Sequence, residues 1–167
     1  MERSKYIIIT LLLFCHLTSS ATYKSKIYNA FISNDMTSWG KVIDEMQLQK
    51  DKSKEFKLEL INYQYGYIAW CIGVKNDDLA EKYLDLAEEN LESLEKVEYN
   101  LSMVNAYKSA FYGYRIGLNI FNAPFIGPKS VDCAKLSIKL DAQNPFGYIQ
   151  YGNAQFYMPA MFGGSKT

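Results

Sequence analysis

The sequence predicts an all-α fold, built of antiparallel helix hairpins that stack on one another. From Tyr23 onward, apolar residues recur about every three to four positions, which is the spacing of one face of an α-helix. No alternating apolar and polar run bounded by turn residues indicates a sheet. The alternation at Tyr63, Tyr65 and Tyr67 lies inside a longer helical pattern. The chain is therefore expected to form about seven helices joined by short breaks.

The first hairpin is predicted from two short apolar series in the N-terminal third of the chain. Residues 34–35, Asn-Asp, indicate a turn between them, with Thr37 or Ser38 as a candidate N-cap. The charged stretch 49–54 is expected to link this hairpin to the next, and Ser53 can cap the helix that follows. The two series are Ile27, Ala30 and Phe31, then Trp39, Val42, Ile43 and Met46.

The second hairpin is predicted to consist of helices at about Lys54–Val74 and Leu79–Val97. The break at residues 75–78 contains aspartates that can cap the second helix. That second helix is the most clearly amphipathic in the chain, because its leucines share one face and its acidic residues the other. The acidic face is expected to be solvated.

The C-terminal part is predicted to contain a long helix at about Tyr99–Phe121, ended by the segment Asn122–Pro128. Helices at about Ser130–Leu140 and Phe146–Tyr157 follow, and Pro159 stops the last one. The apolar residues of this last helix need a partner helix, and none follows. The final hairpin is therefore expected to be incomplete, with an apolar C-terminal end that self-associates or takes a helix from another chain.

Composition excludes some classes of protein. A hydrophobic fraction of 49% and a charged fraction of 22% are those of a folded chain, and 18 basic residues balance 18 acidic ones. Arginine, the side chain best suited to phosphate and guanine contacts, occurs only as Arg3 and Arg115. A nucleic-acid partner is therefore not expected.

The first 21 residues are predicted to be a secretory signal peptide. A short basic start, an apolar run from Tyr6 to Cys15 and a small-residue stretch ending at Ala21 follow one another in the order typical of such signals. The run is shorter than the about 20 residues that span a bilayer, so no transmembrane segment is expected after cleavage. An acylated Cys15 or a buried N-terminal helix are the less favoured alternatives. The mature protein, residues 22–167, is expected to be periplasmic or secreted.

Cleavage would remove His16, the only histidine. A mature chain without histidine cannot form a Ser-His-Asp or Cys-His nucleophile pair, and it cannot bind zinc through imidazole. Two cysteines would remain, Cys71 and Cys133. Two buried thiols are favoured over a disulfide, because both residues lie in helical patterns among apolar neighbours.

Three segments share an internal pattern of an aromatic or polar residue followed by a tyrosine beside a glycine, and in two of them an alanine follows on the next helix. Gly66, Gly113 and Gly152 mark the first helix of each segment. The segments read Asn62-x-x-Tyr65-Gly66 with Ala80-x-x-x-Leu84, Ser109-x-x-Tyr112-Gly113 with Ala134-x-x-x-Ile138, and Tyr148-x-x-Tyr151-Gly152.

This pattern resembles the tetratricopeptide repeat, in particular that of exported bacterial proteins with degenerate repeats. The resemblance implies a short solenoid in which the glycines and alanines let paired helices pack closely. It departs from the family in its irregular glycine spacing and in the residues that replace the usual Trp. It supplies an expected fold more than an expected function.

The solenoid implies a concave face, and aromatic residues are candidates to line it. Tyr and Trp combine a large apolar body with a polar tip, which suits the recognition of peptides. The alternative for each is ordinary packing between helices. Arg115 is expected either to receive a ligand carboxylate, to stack on an aromatic ring or, with more weight, to form an ion pair. The candidate ligand-binding residues are Tyr63, Tyr67, Trp70, Tyr107, Tyr114, Arg115, Asn153 and Tyr157.

No catalytic site is predicted. The adjacent carboxylates at residues 77–78 and 88–89 point in different directions on a helix, whereas acid–base pairs need converging groups. The ending Gly163–Thr167 lacks the first glycine of a phosphate-binding loop. The leading hypothesis is therefore a non-enzymatic scaffold, without cofactor or metal, that binds a protein, a peptide or a small ligand. The alternatives are a carboxylate- or tyrosine-dependent enzyme acting on envelope glycans and a purely structural envelope protein.

Overall fold

The computed structural model describes residues 23–158 and divides the chain into two compact units, Met1–Lys52 and Ser53–Thr167. Within the described residues there are seven α-helices, one short 3₁₀ helix and no strand, so the prediction of an all-α fold is confirmed. The helices are α1 (23–32), α2 (Met36–Gln47), α3 (Lys54–Gly73), α4 (Asp77–Glu95), α5 (Leu101–Leu118), α6 (Ala123–Leu140) and α7 (Pro145–Tyr157), with the 3₁₀ helix at Ile120–Asn122.

The first unit contains α1 and α2, joined by a tight turn. The turn contains Asn34 in the left-handed region at φ 55°, and Asp35 then caps α2 by accepting hydrogen bonds from both the backbone N–H and the hydroxyl of Ser38. Asp35, not Thr37 or Ser38, is therefore the N-cap. Lys26 pairs with Glu45 across the hairpin at 2.8 Å.

In the second unit, side chains cap the N-termini of four of the five helices. Ser53 accepts a hydrogen bond from the backbone N–H of Phe56, as the sequence predicted. Asparagines cap three further helices: Asn76 for α4, Asn100 for α5 and Asn144 for α7. The start of each of these helices is thus defined by a local side chain that satisfies an otherwise unpaired backbone donor.

Consecutive helices of the second unit run antiparallel. On α3 and α4, the ring centroids of Tyr67 and Tyr83 lie 5.0 Å apart, while Lys57, nearer the start of α3, bonds Ser93, nearer the end of α4. On α6 and α7, Lys135 lies over the ring of Tyr151. α5 is the central helix of this unit, since it packs against α3, α4, α6 and α7.

The segment from Asn122 to Pro128 does not end a helix, contrary to the sequence prediction. α5 stops earlier, at Leu118, and α6 begins at Ala123 and continues through Pro128 to Leu140. Pro124 lies in the first turn, where its missing N–H would have no intrahelical partner in any case. Pro128 removes only one backbone hydrogen bond, so the helix passes through it.

Small residues line the contact between α5 and α6. The hydroxyls of Ser109 and Ser130 lie 3.1 Å apart, and Ser102 donates to the backbone oxygen of Ser137 at 2.9 Å. Asn144, the N-cap of α7, donates to Ser102 at 2.8 Å, so the start of α7 is tied to this contact. Because these hydroxyls are buried and bonded to one another, the helices approach closely without leaving them unpaired.

The glycines do not all act as the tetratricopeptide resemblance implies. A Cβ built on Gly113 or Gly152 would meet nothing within 4 Å, so neither residue marks a close approach of helices. The close approach lies instead at Gly147, where a Cβ would stand 2.6 Å from the Oγ of Ser137 and 3.2 Å from Cγ1 of Ile138. Because Gly147 has no side chain, α7 can pack closely against α6.

Candidate functional site

The predicted aromatic residues are divided between the protein core and its surface. Tyr63, Tyr67 and Tyr107 are buried, with 9%, 5% and 2% of their surface exposed. Trp70 and Tyr114 are half-buried. Asn153 and Tyr157 are exposed, and both lie on α7. The structure therefore does not bring the predicted residues together on one surface.

Tyr107 and Tyr114 belong to an aromatic cluster that joins α3, α5 and α7. Tyr65 stacks on Tyr114 with ring centroids 5.4 Å apart, and Phe146 lies 4.8 Å from Tyr107. The hydroxyl of Tyr107 donates to Asn62 Oδ1 at 2.9 Å, and that of Tyr114 donates to the backbone oxygen of Tyr65 at 3.2 Å. Such satisfied hydroxyls among closely packed rings are typical of structural tyrosines. The cluster comprises Tyr65, Tyr107, Phe111, Tyr114 and Phe146.

Burial raises the pKa of the Tyr107 and Tyr114 phenols well above the usual value of 10.0, and the neighbouring Tyr65 adds to the effect. In the unfolded chain these phenols ionise at about pH 10, whereas in the folded chain they stay protonated. Their contribution to stability is therefore complete below about pH 10 and is lost as the pH rises above it.

We expect the free energy of unfolding to fall between about pH 10 and pH 11.5, and to fall less in a variant carrying Tyr107→Phe and Tyr114→Phe. Urea unfolding at a series of pH values measures the difference. Tyr157→Phe is the matched control, because Tyr157 is 79% exposed. Equal pH dependence in the double variant and the control would show that the buried phenols do not cause the decline.

Tyr67 and Trp70 form a second aromatic group on α3. The ring centroids of Tyr67 and Trp70 lie 5.5 Å apart, and Tyr67 also meets Tyr83 of α4 edge to face. One turn earlier, the hydroxyl of Tyr63 donates to Glu59 at 2.7 Å. Tyr63 and Tyr67 therefore have the role that the sequence analysis gave as the alternative to ligand binding, which is ordinary packing of α3. Trp70 remains partly accessible.

Arg115 forms an ion pair, which is the role that the sequence analysis favoured for it. Its guanidinium contacts Glu88 through two nitrogens, with Nη2 at 2.6 Å and Nε at 3.4 Å from the carboxylate oxygens, and it also contacts Asp85. The hydrogen bond to Glu88 is the main reason that the pKa of Arg115 is raised. Both carboxylates belong to α4, so the guanidinium joins α4 to α5. A ligand carboxylate would have to displace them.

The carboxylates and thiols of the described region were the remaining candidates for metal or nucleophile chemistry. No three His, Cys, Asp or Glu side chains between residues 23 and 158 are placed to hold a metal ion. Cys71 and Cys133 are free thiols, as favoured from the sequence, but Cys133 is half-buried and not buried as expected. Cys71 is buried, and desolvation raises its pKa to about 11. A thiol that stays protonated near neutral pH is a poor nucleophile.

Within residues 53–158, exposed large apolar side chains form two surfaces, and the sequence analysis named only one of them. The unnamed one is the hairpin tip between α5 and α6, where Ile120, Phe121 and Phe125 are 68%, 82% and 76% exposed. The signal in the sequence was the absence of charged residues from 116 through 128. The sequence analysis treats only part of this segment, Asn122–Pro128 with its two prolines and one glycine, as a helix break.

The other surface is an outer stripe on α7, formed by Ile149, Gly152 and Phe156. Helical periodicity places these residues on one line along the helix. Ile149 and Phe156 are 55% and 51% exposed, and the space above Gly152 is open. Tyr148 on one side of the stripe is 50% exposed, and Asn153 flanks it on the other. α7 contains no charged residue, so the stripe has no charged side chain from its own helix.

The opposite side of α7 packs against other helices of the second unit. Gly147 meets α6, Phe146 enters the aromatic cluster and Gln150 is 4% exposed. The Nε2 of Gln150 has no hydrogen-bond partner within residues 23–158. α7 therefore has one side packed against the second unit and one side exposed.

No model of a known protein family, no curated protein and no solved structure matches this chain. The resemblance to tetratricopeptide repeats therefore depends on the quoted sequence motifs alone. The predicted signal peptide, residues 1–21, and the ending from Pro159 onward, with the predicted helix stop at Pro159, lie outside the described residues. No helix between residues 23 and 158 combines the length and hydropathy needed to cross a membrane.

Proposed function

We propose that this protein is an exported, non-enzymatic helical scaffold of tetratricopeptide-like hairpins that binds another polypeptide through the outer stripe of α7. The observation that carries this proposal is the exposure of Ile149 and Phe156 on a helix whose other side packs against the protein through Phe146, Gly147 and Gln150. In a tetratricopeptide-like arrangement, this is the side on which the second helix of a pair would pack. The stripe replaces the larger concave face as the main contact surface, with Asn153 and Tyr157 beside it.

The chemistry of the stripe favours an apolar helix as its occupant. Ile149 and Phe156 are seven residues apart, which is the spacing that an amphipathic helix presents to a matching helix. Gly152 between them leaves room for close approach of a second backbone. Since α7 contributes no charge, affinity must come mainly from the burial of apolar surface.

We expect Ile149→Glu to weaken capture of a partner protein from envelope extracts at least about tenfold, because it places a charge in an apolar contact. The immobilised protein is compared with the variant, and bound polypeptides are quantified by mass spectrometry. Leu136→Glu is the matched control: it introduces the same charge at an exposed leucine on α6, 42% exposed. Melting temperatures should change little in both variants.

Two results would contradict the proposal. If Ile149→Glu captures as well as the unchanged protein while Trp70→Ala does not, the contact surface lies on α3. If the purified protein instead turns over envelope glycans, the chain is an enzyme and the scaffold proposal is wrong.

A further inference from the structure

We infer that the occupant of the outer stripe is a second copy of this chain, with the two α7 helices packed antiparallel about a twofold axis near Gly152 and Asn153. The inference rests on the proposed function, since it uses the same surface, and it adds the identity and geometry of the partner. It is carried by the order of side chains along the stripe and by the absence of charge on α7, while the small area of the helix sets the expected strength.

The order of side chains makes the stripe complementary to itself. In an antiparallel pair centred between residues 152 and 153, Ile149 of one copy lies opposite Phe156 of the other, and the reverse contact is made at the same time. Asn153 lies opposite Gly152 of the second copy, where no side chain blocks it and the space is open. Large residues thus meet at both ends of the contact, and the smallest residue lies at its centre, where the helices come closest.

The charge of α7 also suits a self-contact. A twofold axis brings identical surfaces together, so any charged side chain on the stripe would face a like charge nearby. α7 has no charged residue, and this repulsion is absent. Lys135 of α6 contacts α7, with its Nζ 5.9 Å from the ring centroid of Tyr151. Tyr151 is half-buried on the side of α7 that faces α6, away from the stripe.

The area sets the expected strength of association. A stable protein–protein interface buries about 1,600 Å² in total, and a single pair of 13-residue helices buries less than this. The dimer should therefore be weak and depend on concentration, with association visible by sedimentation between about 1 and 100 µM.

Disulfide trapping tests the geometry in the full chain, with Cys15 and Cys133 replaced by Ser so that they do not react. Ile149→Cys and Phe156→Cys are prepared as separate proteins, then oxidised alone and as a mixture. We expect a disulfide-linked dimer in the mixture at least about five times as abundant as in either protein alone, because only mixed pairs place the two cysteines opposite each other. Glu89→Cys, an exposed position on α4, is the control and should give no dimer with either protein.

Each alternative result has a distinct meaning. Efficient dimers of Ile149→Cys alone would indicate a parallel or unspecific contact and would overturn the inference. A chain that sediments as a monomer at every concentration and gives no trapped dimer would also overturn it. If Ile149→Glu still abolishes capture of another protein in that case, the proposed function stands with a different partner. If Ile149→Glu has no effect on capture either, both are wrong.

Discussion

Replacing Tyr107 by Ala is expected to lower the free energy of unfolding by about 3–5 kcal/mol, the usual cost of truncating a buried aromatic side chain. Only 2% of Tyr107 is exposed, and its ring contacts Tyr65, Phe111 and Phe146. Truncation would leave a cavity where three helices meet and would also leave Asn62 without its hydrogen-bond donor. Urea unfolding followed by circular dichroism measures the change.

Two control variants distinguish the loss of buried packing from the loss of a hydrogen bond and from the loss of an exposed ring. Tyr107→Phe keeps the ring and removes only the hydrogen bond to Asn62, so it should cost about 0.5–1.5 kcal/mol. Phe121→Ala removes an aromatic side chain that is 82% exposed and should change stability by less than about 0.5 kcal/mol. A loss below 1 kcal/mol for Tyr107→Ala, with impaired partner capture, would instead assign Tyr107 to a binding surface, as the sequence first suggested.

Replacing Gly147 by Ala is expected to destabilise the protein by about 1–3 kcal/mol, although Ala is the better helix former. The new methyl group would stand 2.6 Å from the Oγ of Ser137. That hydroxyl cannot easily move aside, because it lies within 3.3 Å of both Ser102 Oγ and Asn144 Nδ2 in a fully buried position. Either α7 shifts or these polar contacts break. Thermal unfolding reports the loss.

Gly113→Ala is the matched control, and its expected effect has the opposite sign. A Cβ at Gly113 meets nothing within 4 Å, and the residue lies in the interior of α5. The substitution should therefore stabilise the protein by about 0.5–1 kcal/mol through helix propensity alone. If both glycines respond alike, the contact at Ser137 does not determine the position of α7.

The elements that could be predicted from the sequence are those determined by local physics. Ser53 was identified as an N-cap because a serine before an apolar helical pattern satisfies a backbone donor, and the structure shows this bond. The start of α4 was placed within two residues, but its N-cap is Asn76 and not one of the aspartates that the sequence predicted. The predicted helix break at Asn122–Pro128 was wrong. Proline lacks a backbone N–H donor, and this lack is harmless when the proline lies in the first turn of a new helix.

The candidate site was harder to predict, because its assignment depends on which side of each helix is covered. α3 has apolar or aromatic residues around much of its circumference, so periodicity alone could not separate Tyr67, which is buried, from Trp70, which is partly exposed. On α7 the sequence predicted that Phe146, Ile149, Phe156 and Tyr157 need a partner. The last three are exposed, whereas Phe146 packs against Tyr65 and Tyr107. The serine contacts between α5 and α6 left no sequence signal, because serine is common on exposed helix faces as well.

The aromatic cluster has a consequence for how the second unit unfolds. In a simple repeat array each hairpin contacts only its neighbours, and the ends can fray independently of the middle. Here Tyr65 of α3 meets Phe146 of α7, with ring centroids 5.4 Å apart across most of the unit's sequence. The first and last helices of the unit are thereby coupled energetically, so opening either end exposes the same cluster. Among the ring contacts and hydrogen bonds described for residues 53–158, this contact joins the residues farthest apart in sequence, so the docking of α7 closes a long loop at a large loss of chain entropy.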